Sequence, residues 1–149
     1  MGFSPIGLVV SLAVLTPNLL LLRYPPRDGL PDVVVPWPFG WLERAGQALC
    51  LVVPAVTSPG GVEWAWSLPT IGCLAAYLAL WVRYLVRGRH AHLLFRGPWG
   101  LPIPMAILPV LVFLGLSAWL TNPWIAASAV VLAAGHLPTS WLTRGALSA

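Results

Sequence analysis

Glu43 and Gln47 stand four residues apart in GWLERAGQALCLVVP (residues 40–54), a stretch that otherwise reads as apolar. Residues at that spacing share one face of a helix. His136 and Ser140 repeat it in a second apolar stretch, and Tyr77, Trp81 and Tyr84 fall at i, i+4 and i+7 in a third. Asn18 and Arg83 complete the polar set. Such groups suit acid–base chemistry on a hydrophobic substrate. A carboxylic acid in low-dielectric surroundings holds its proton and can donate it. Aromatic faces then stabilise the cation that forms. Glu43 is the expected acid, His136 or Tyr84 the proton acceptor, and Arg83 an anion or orientation contact. Asn18, Gln47, Tyr77, Trp81 and Ser140 are the expected substrate contacts. Proton-initiated cyclisation or isomerisation of an isoprenoid or another lipid is the reaction that fits.

Each residue also has a plainer role. Glu43 can tie helix ends together through Arg83 or Arg44, and Arg44 or Arg83 can extend to the lipid headgroups. Gln47 and Asn18 can hydrogen-bond between helices. His136, directly after Gly135, can be a packing residue. What sets the group apart is a common depth, which depends on the elements that carry it.

Those elements are apolar. Of 149 residues, 58% are hydrophobic and 8% charged, against about 25% charged in soluble domains; the mean hydropathy is +0.84. The expected fold is an all-α integral membrane protein, one bundle of five transmembrane helices over 5–22, 38–57, 67–86, 101–120 and 123–142. Each is near the roughly 20 residues a span requires. The first lacks a basic leader and a small-x-small cleavage pattern, so it reads as a retained helix, bent at Pro17. The long first loop, with Pro25, Pro26, Pro31, Pro36 and Pro38, reads as extended. Cys50 and Cys73 lie in apolar stretches and read as small buried side chains.

The net charge of +4 comes from eight arginines and no lysine. They fall between apolar segments, which points to membrane topology rather than nucleic acid. With five spans all eight lie on one side, giving an outside N-terminus and a cytoplasmic C-terminus. The expected location is the plasma membrane of a bacterium. Antiparallel alternation then brings Asn18, Glu43, Gln47, Arg83, Tyr84, His136 and Ser140 to one cytoplasm-side layer. Most of the nine tryptophans, Trp99 among them, sit near segment ends as an interfacial belt, whereas Trp81 lies deeper.

No resident metal or cofactor is expected. His90 and His92 are the one close histidine pair, in a loop expected to have no nearby carboxylate to complete a site. A Gly-rich phosphate loop, a Ser-His-Asp order and a CxxC pair are all missing. The RGRHAHLLFR connection (87–96) reads as a positive-inside loop able to attract anionic headgroups. Tyr24-Pro25-Pro26, the length and the tryptophan content resemble the translocator (tryptophan-rich sensory) proteins in shape only. That resemblance implies a non-catalytic binder of porphyrin- or sterol-like ligands. The flanking tryptophans, the third-helix asparagine and the ending of the fifth helix in that family are not matched. A small proton-coupled transporter or assembly subunit is the third class, since membrane carboxylates also carry protons. A homo-oligomer would then be needed to enclose a path. The expected partners are otherwise the bilayer and one hydrophobic small-molecule or lipid ligand.

Overall fold

Local signals set where each helix begins. Ser4 Oγ accepts the Gly7 N–H ahead of α1 (Pro5–Leu15), and Asn122 Oδ1 accepts the Trp124 N–H ahead of α7 (Pro123–Ala146). These are N-cap bonds that satisfy otherwise orphaned donors. A proline occupies the first turn in both, and again in α3 (Trp37–Val56) and α6 (Pro104–Trp119), where its missing N–H costs nothing. Pro38 therefore lies inside a helix rather than in the extended loop expected for it. α4 (Ser67–Val86) follows a short 3-10 turn, Trp64–Trp66, and is followed by the one-turn α5 (His92–Phe95). The computed structural model describes residues 2–98 and 100–147; Trp99 lies outside them. Among the described residues the fold is all-helical, with a single isolated bridge between Arg96 and Pro102.

α1 passes through a 3-10 stretch, Thr16–Leu19, into the short α2 (Leu20–Arg23). The change of helix type sits at Pro17, which cannot donate to the regular ladder. Pro5–Arg23, Trp64–Val86 and Pro123–Ala146 are each long and apolar enough to cross a membrane. α6 is apolar but has only 16 residues, about 24 Å at 1.5 Å per residue. α3 has the length, and its Glu43, Arg44 and Gln47 dilute its hydropathy.

Gly2 and Ser4 donate backbone N–H groups to Val56 and Ala55, so α1 begins where α3 ends. α3 packs chiefly on α7, α7 on α6, and α6 on α4, while α1 closes against α3. A compensation inside the bundle follows from sequence. Pro54 leaves the Cys50 carbonyl without its helical donor, and Ser11 Oγ of α1 donates to it at 2.8 Å. The core centres on Tyr77, Leu80, Val112, Phe113 and Leu116, all under 3% exposed.

The chain's alternation puts its arginines at one end of the bundle. Arg23 and Arg83 lie in the last turns of their helices, Arg44 lies about two turns into α3, Arg144 lies in the last turn of α7, and Arg27, Arg87, Arg89 and Arg96 lie in the connections at that end. The connections over 57–63 and 120–122 at the other end carry none.

Candidate functional site

Two glycines decide what faces what. A Cβ on Gly135 would sit 2.1 Å from the Glu43 backbone N, and one on Gly46 would sit 2.3 Å from the Leu132 Cα. Only glycine lets α3 and α7 approach so closely. The contact carries His136, the next residue on α7, up to Glu43 of α3. His136 Nδ1 lies 2.6 Å from Glu43 Oε1, with the two side chains 24% and 20% exposed. With the carboxylate as acceptor, the imidazole carries its proton on Nδ1, which leaves Nε2 as the nitrogen turned to other partners.

This pair lies on the wall of a cavity of about 180 Å³. One turn further along α7, Thr139, Ser140 and Thr143 continue the same wall. Tyr77 and Trp81 of α4 form the facing wall, their rings edge to face with centroids 6.4 Å apart. The Tyr77 hydroxyl donates to Asn18 Oδ1 at 3.3 Å. Trp81 is 4% exposed, and its buried indole N–H has no hydrogen-bond partner. The remaining boundary is apolar: Leu21, Leu94, Phe95, Ile103, Met105 and Ala106. Six residues expected to contact substrate or carry protons thus share one cavity: Asn18, Glu43, Tyr77, Trp81, His136 and Ser140.

Three others do not line it. Gln47 lies one turn deeper on α3, partly exposed. The Tyr84 hydroxyl donates to the Tyr24 carbonyl at 2.8 Å, anchoring the start of the first loop. Arg83 Nη1 donates to the Arg96 carbonyl at 2.9 Å, and its buried Nε has no partner. The expected approach of Glu43 to Arg83 is replaced by the Glu43–His136 pair. Both charges do sit near the arginine-bearing end, and rotation about the helix axes separates them. Thr139 and Thr143 were missed, although their spacing from His136 puts them on its helical face. Leu94 and Phe95 come from the one-turn α5 and Ile103 from the residue ahead of α6, stretches too short to show such periodicity.

That connection is held by the first loop. Asp28 Oδ1 accepts the Ala91 N–H at 2.8 Å, and Asp28 Oδ2 lies 3.6 Å from His90 Nδ1. The Ala91 N–H, foremost, and His90 hold the Asp28 carboxyl below its ordinary range. A carboxylate therefore does approach the His90–His92 pair, contrary to the sequence expectation, from 62 positions earlier in the chain. The two imidazoles stack 5.7 Å apart, and no group of three or more His, Cys, Asp or Glu able to hold a metal ion occurs among the described residues. Arg27 N donates to the Arg89 carbonyl, and Arg23 and Arg89 both lie over the Tyr24 ring.

No family model matches this chain, and no curated protein or solved structure is similar to it.

Proposed function

We propose that the chain is an enzyme of a bacterial plasma membrane that uses Glu43 and His136 for acid–base chemistry on an isoprenoid or other lipid. It crosses the membrane five times, with its N-terminus outside and the arginine-bearing end, and hence the cavity, on the cytoplasmic side. The observation that carries this reading is the 2.6 Å Glu43–His136 pair on the wall of an aromatic-sided cavity. A carboxylate behind an imidazole fixes its tautomer and balances the imidazolium charge, the logic of acid–base dyads in general.

Cavity size selects among reactions. About 180 Å³ is below the roughly 300–1,000 Å³ of sites that enclose a whole drug-sized ligand. It holds one ring-sized apolar unit, since a cavity of about 150 Å³ holds a benzene. Isomerisation of a terminal double bond fits better than folding and cyclising a long chain. The imidazolium Nε2–H gives its proton to one alkene carbon, whose π pair becomes the new C–H bond. The cation on the neighbouring carbon rests against Trp81 and Tyr77. The imidazole then removes a proton from the next carbon, and that C–H pair becomes the new double bond. One proton enters and one leaves, so no oxidant or cofactor is consumed.

The test is turnover of short prenyl substrates by purified protein in D2O. Wild type should place deuterium on the protonated carbon. Glu43→Gln and His136→Gln should each lose about 100-fold to 10,000-fold in rate while melting close to wild type. Full turnover by Glu43→Gln would overturn the assignment. Non-catalytic binding of a hydrophobic ligand is the second reading, favoured by the largely apolar and aromatic lining of the cavity. Ligand retention by wild type with no deuterium uptake would select it.

A further inference from the structure

α7 presents two stripes to two different spaces. His136, Thr139, Ser140 and Thr143 line the cavity, whereas Leu137, Pro138, Trp141 and Leu142, together with Phe39 of α3, line an apolar groove of about 480 Å³ beside the α6–α7 seam. α6 divides in the same way, with Met105 and Ala106 toward the cavity and Ile107 toward the groove. Ile103 borders both. The two spaces therefore lie side by side at one depth, separated by the seam and joined at a single side chain.

Two further features single out that junction. Ile103 has φ 44° and ψ 50°, left-handed backbone that a β-branched residue rarely adopts. The surroundings hold it there: Ile103 N donates to the Phe95 carbonyl, and Ala106 N and Ile107 N both donate to the Ile103 carbonyl. Strain of this kind persists where the neighbours over-determine it and clusters at ligand clamps. The groove also lies at interfacial depth. Its Trp141 carries the Arg144 guanidinium 5.2 Å above the ring, as expected of a belt residue at headgroup level.

We infer that the groove seats the hydrocarbon chain of the same lipid whose reactive end occupies the cavity, so that the ligand enters sideways from the bilayer past Ile103. This rests on the cavity being a lipid site, as proposed above, and extends it to the class of ligand: a single-chain lipid with a small reactive head. The cavity is too small for more than that head, and the adjoining groove is apolar and shares Ile103 with it as a lining residue. A chain running from one into the other buries its apolar length without crossing the α6–α7 seam more than once.

The probes are a C15 prenyl alcohol carrying a diazirine at the end remote from the hydroxyl, and a C5 counterpart. Photolysis in nanodiscs followed by peptide mass spectrometry reads where each chain end lies. The C15 adducts should concentrate on Ile107 and on 137–142, and excess unmodified C15 alcohol should suppress them at least tenfold. The C5 adducts should fall on cavity residues. Ile107→Trp should cut C15 labelling at 137–142 at least fivefold, with C5 labelling as the control for folding. If that variant does not fold, Leu142→Trp serves in its place. Adducts spread over all lipid-facing helices, or unaffected by competition, would show ordinary annular lipid and overturn the inference. Cross-linking between copies on this face, with no competed lipid adduct, would show a second chain there and also overturn it. Glu43→Gln separates the two proposals. Full turnover by that variant with wild-type C15 labelling removes the acid–base reading and leaves the chain seat standing. Loss of turnover without competed labelling in wild type does the reverse.

Discussion

At the arginine-free end Asn122 ties the 57–63 connection to α6 and α7, whereas at the arginine-bearing end Asn18, Thr139, Ser140 and Thr143 stand around a cavity. The Asn122 amide donates to Thr57 Oγ1 at 2.7 Å and reaches the Ser58 carbonyl, and its Oδ1 caps α7. Its backbone N–H and carbonyl are both bonded to Ser117. Glu63 N donates to the Trp119 carbonyl, and Trp64 packs edge to face on Trp119. A fully satisfied polar network rigidifies; polar groups around a space remain available to a ligand. The difference originates in helix length. α6 has 16 residues and α7 has 24, and the tight 120–122 connection aligns them at the closed end. The shortfall, about 12 Å at 1.5 Å per residue, therefore appears entirely at the other end. The one-turn helix His92–Phe95 and the side chain of Ile103 fill it incompletely, and the cavity is what remains.

If one end is scaffold and the other site, mutations should separate stability from ligand handling. Gly135 is where they should fail to separate, and it carries the largest expected effect. Its Cβ would strike the Glu43 backbone, so Gly135→Ala must push α3 and α7 apart. Overpacking of this kind costs about 1–3 kcal/mol, and the upper part of that range is expected because the obstacle is backbone. Denaturant unfolding in detergent checks the stability. The same displacement lengthens the Glu43–His136 distance, so turnover should fall with it. A Gly135→Ala protein as stable and active as wild type would mean the close approach does not set the pair.

Asn122→Ala comes next. Losing a helix cap costs about 1 kcal/mol, and the part-buried Thr57 hydroxyl and Ser58 carbonyl lose their donor as well. A loss of about 1–2 kcal/mol is expected, with ligand retention and turnover of the remaining folded protein unchanged. Thr139→Val is the counterpart at the open end. The Thr139 hydroxyl back-bonds to the Gly135 carbonyl of its own helix and also lies within hydrogen-bonding reach of the Glu43 carboxylate, so stability should fall by no more than about 1 kcal/mol, and the main change should be in substrate affinity. The reverse pattern at either position would break the contrast between the ends.

Much of this organisation can be read in the chain, and the limits are physical. Hydropathy and the N-cap and proline signals locate the long helical stretches within a few residues, because burial and capping are local properties. Antiparallel alternation then assigns each polar residue a depth. That is why Asn18, Glu43, His136 and Ser140 are found around one space. Depth does not supply azimuth, so Arg83 and Tyr84 share the level and face elsewhere, and Gln47 lies one turn deeper than the depth assigned to it. The partner of Glu43 depends on which helix packs against α3, and Gly46 and Gly135 announce that only when paired with their opposite backbones. Ile103, Leu94 and Phe95 belong to a connection without periodicity, where nothing local fixes the side-chain direction.

Ser11→Ala is a smaller test within the bundle. It removes the donor that Pro54 makes necessary at the Cys50 carbonyl. Interhelical hydrogen bonds in membrane bundles average about 0.6 kcal/mol, and a loss of that order is expected. Pro54→Ala restores the helical donor and should reduce the effect of the Ser11 change, a coupling that a double-mutant cycle reads directly. Simple additivity of the two changes would mean that Ser11 does not compensate for the proline.

The smallest effect is confined to the clasp between the loops at the arginine-bearing end. The Ala91 N–H and His90 hold the Asp28 carboxyl below the ordinary value of 3.8. On acidification the unfolded chain therefore takes up this proton first, and the native state loses stability relative to it. The clasp's contribution is fully present well above pH 3.8 and declines as the pH falls through the lower, native value. Asp28→Asn keeps an acceptor for Ala91 and cannot titrate. Plotted against pH, the melting temperature of wild type minus that of Asp28→Asn should be flat near neutrality and drop in the acid range. Because Asp28 is exposed, solvent screening keeps this drop small. The clasp also holds the connection that leads into Leu94 and Phe95, so ligand affinity should weaken over the same acid interval in wild type and not in Asp28→Asn. A flat difference across the whole range would mean that the first loop does not brace the cavity, leaving Tyr84 on the Tyr24 carbonyl as the tie between them.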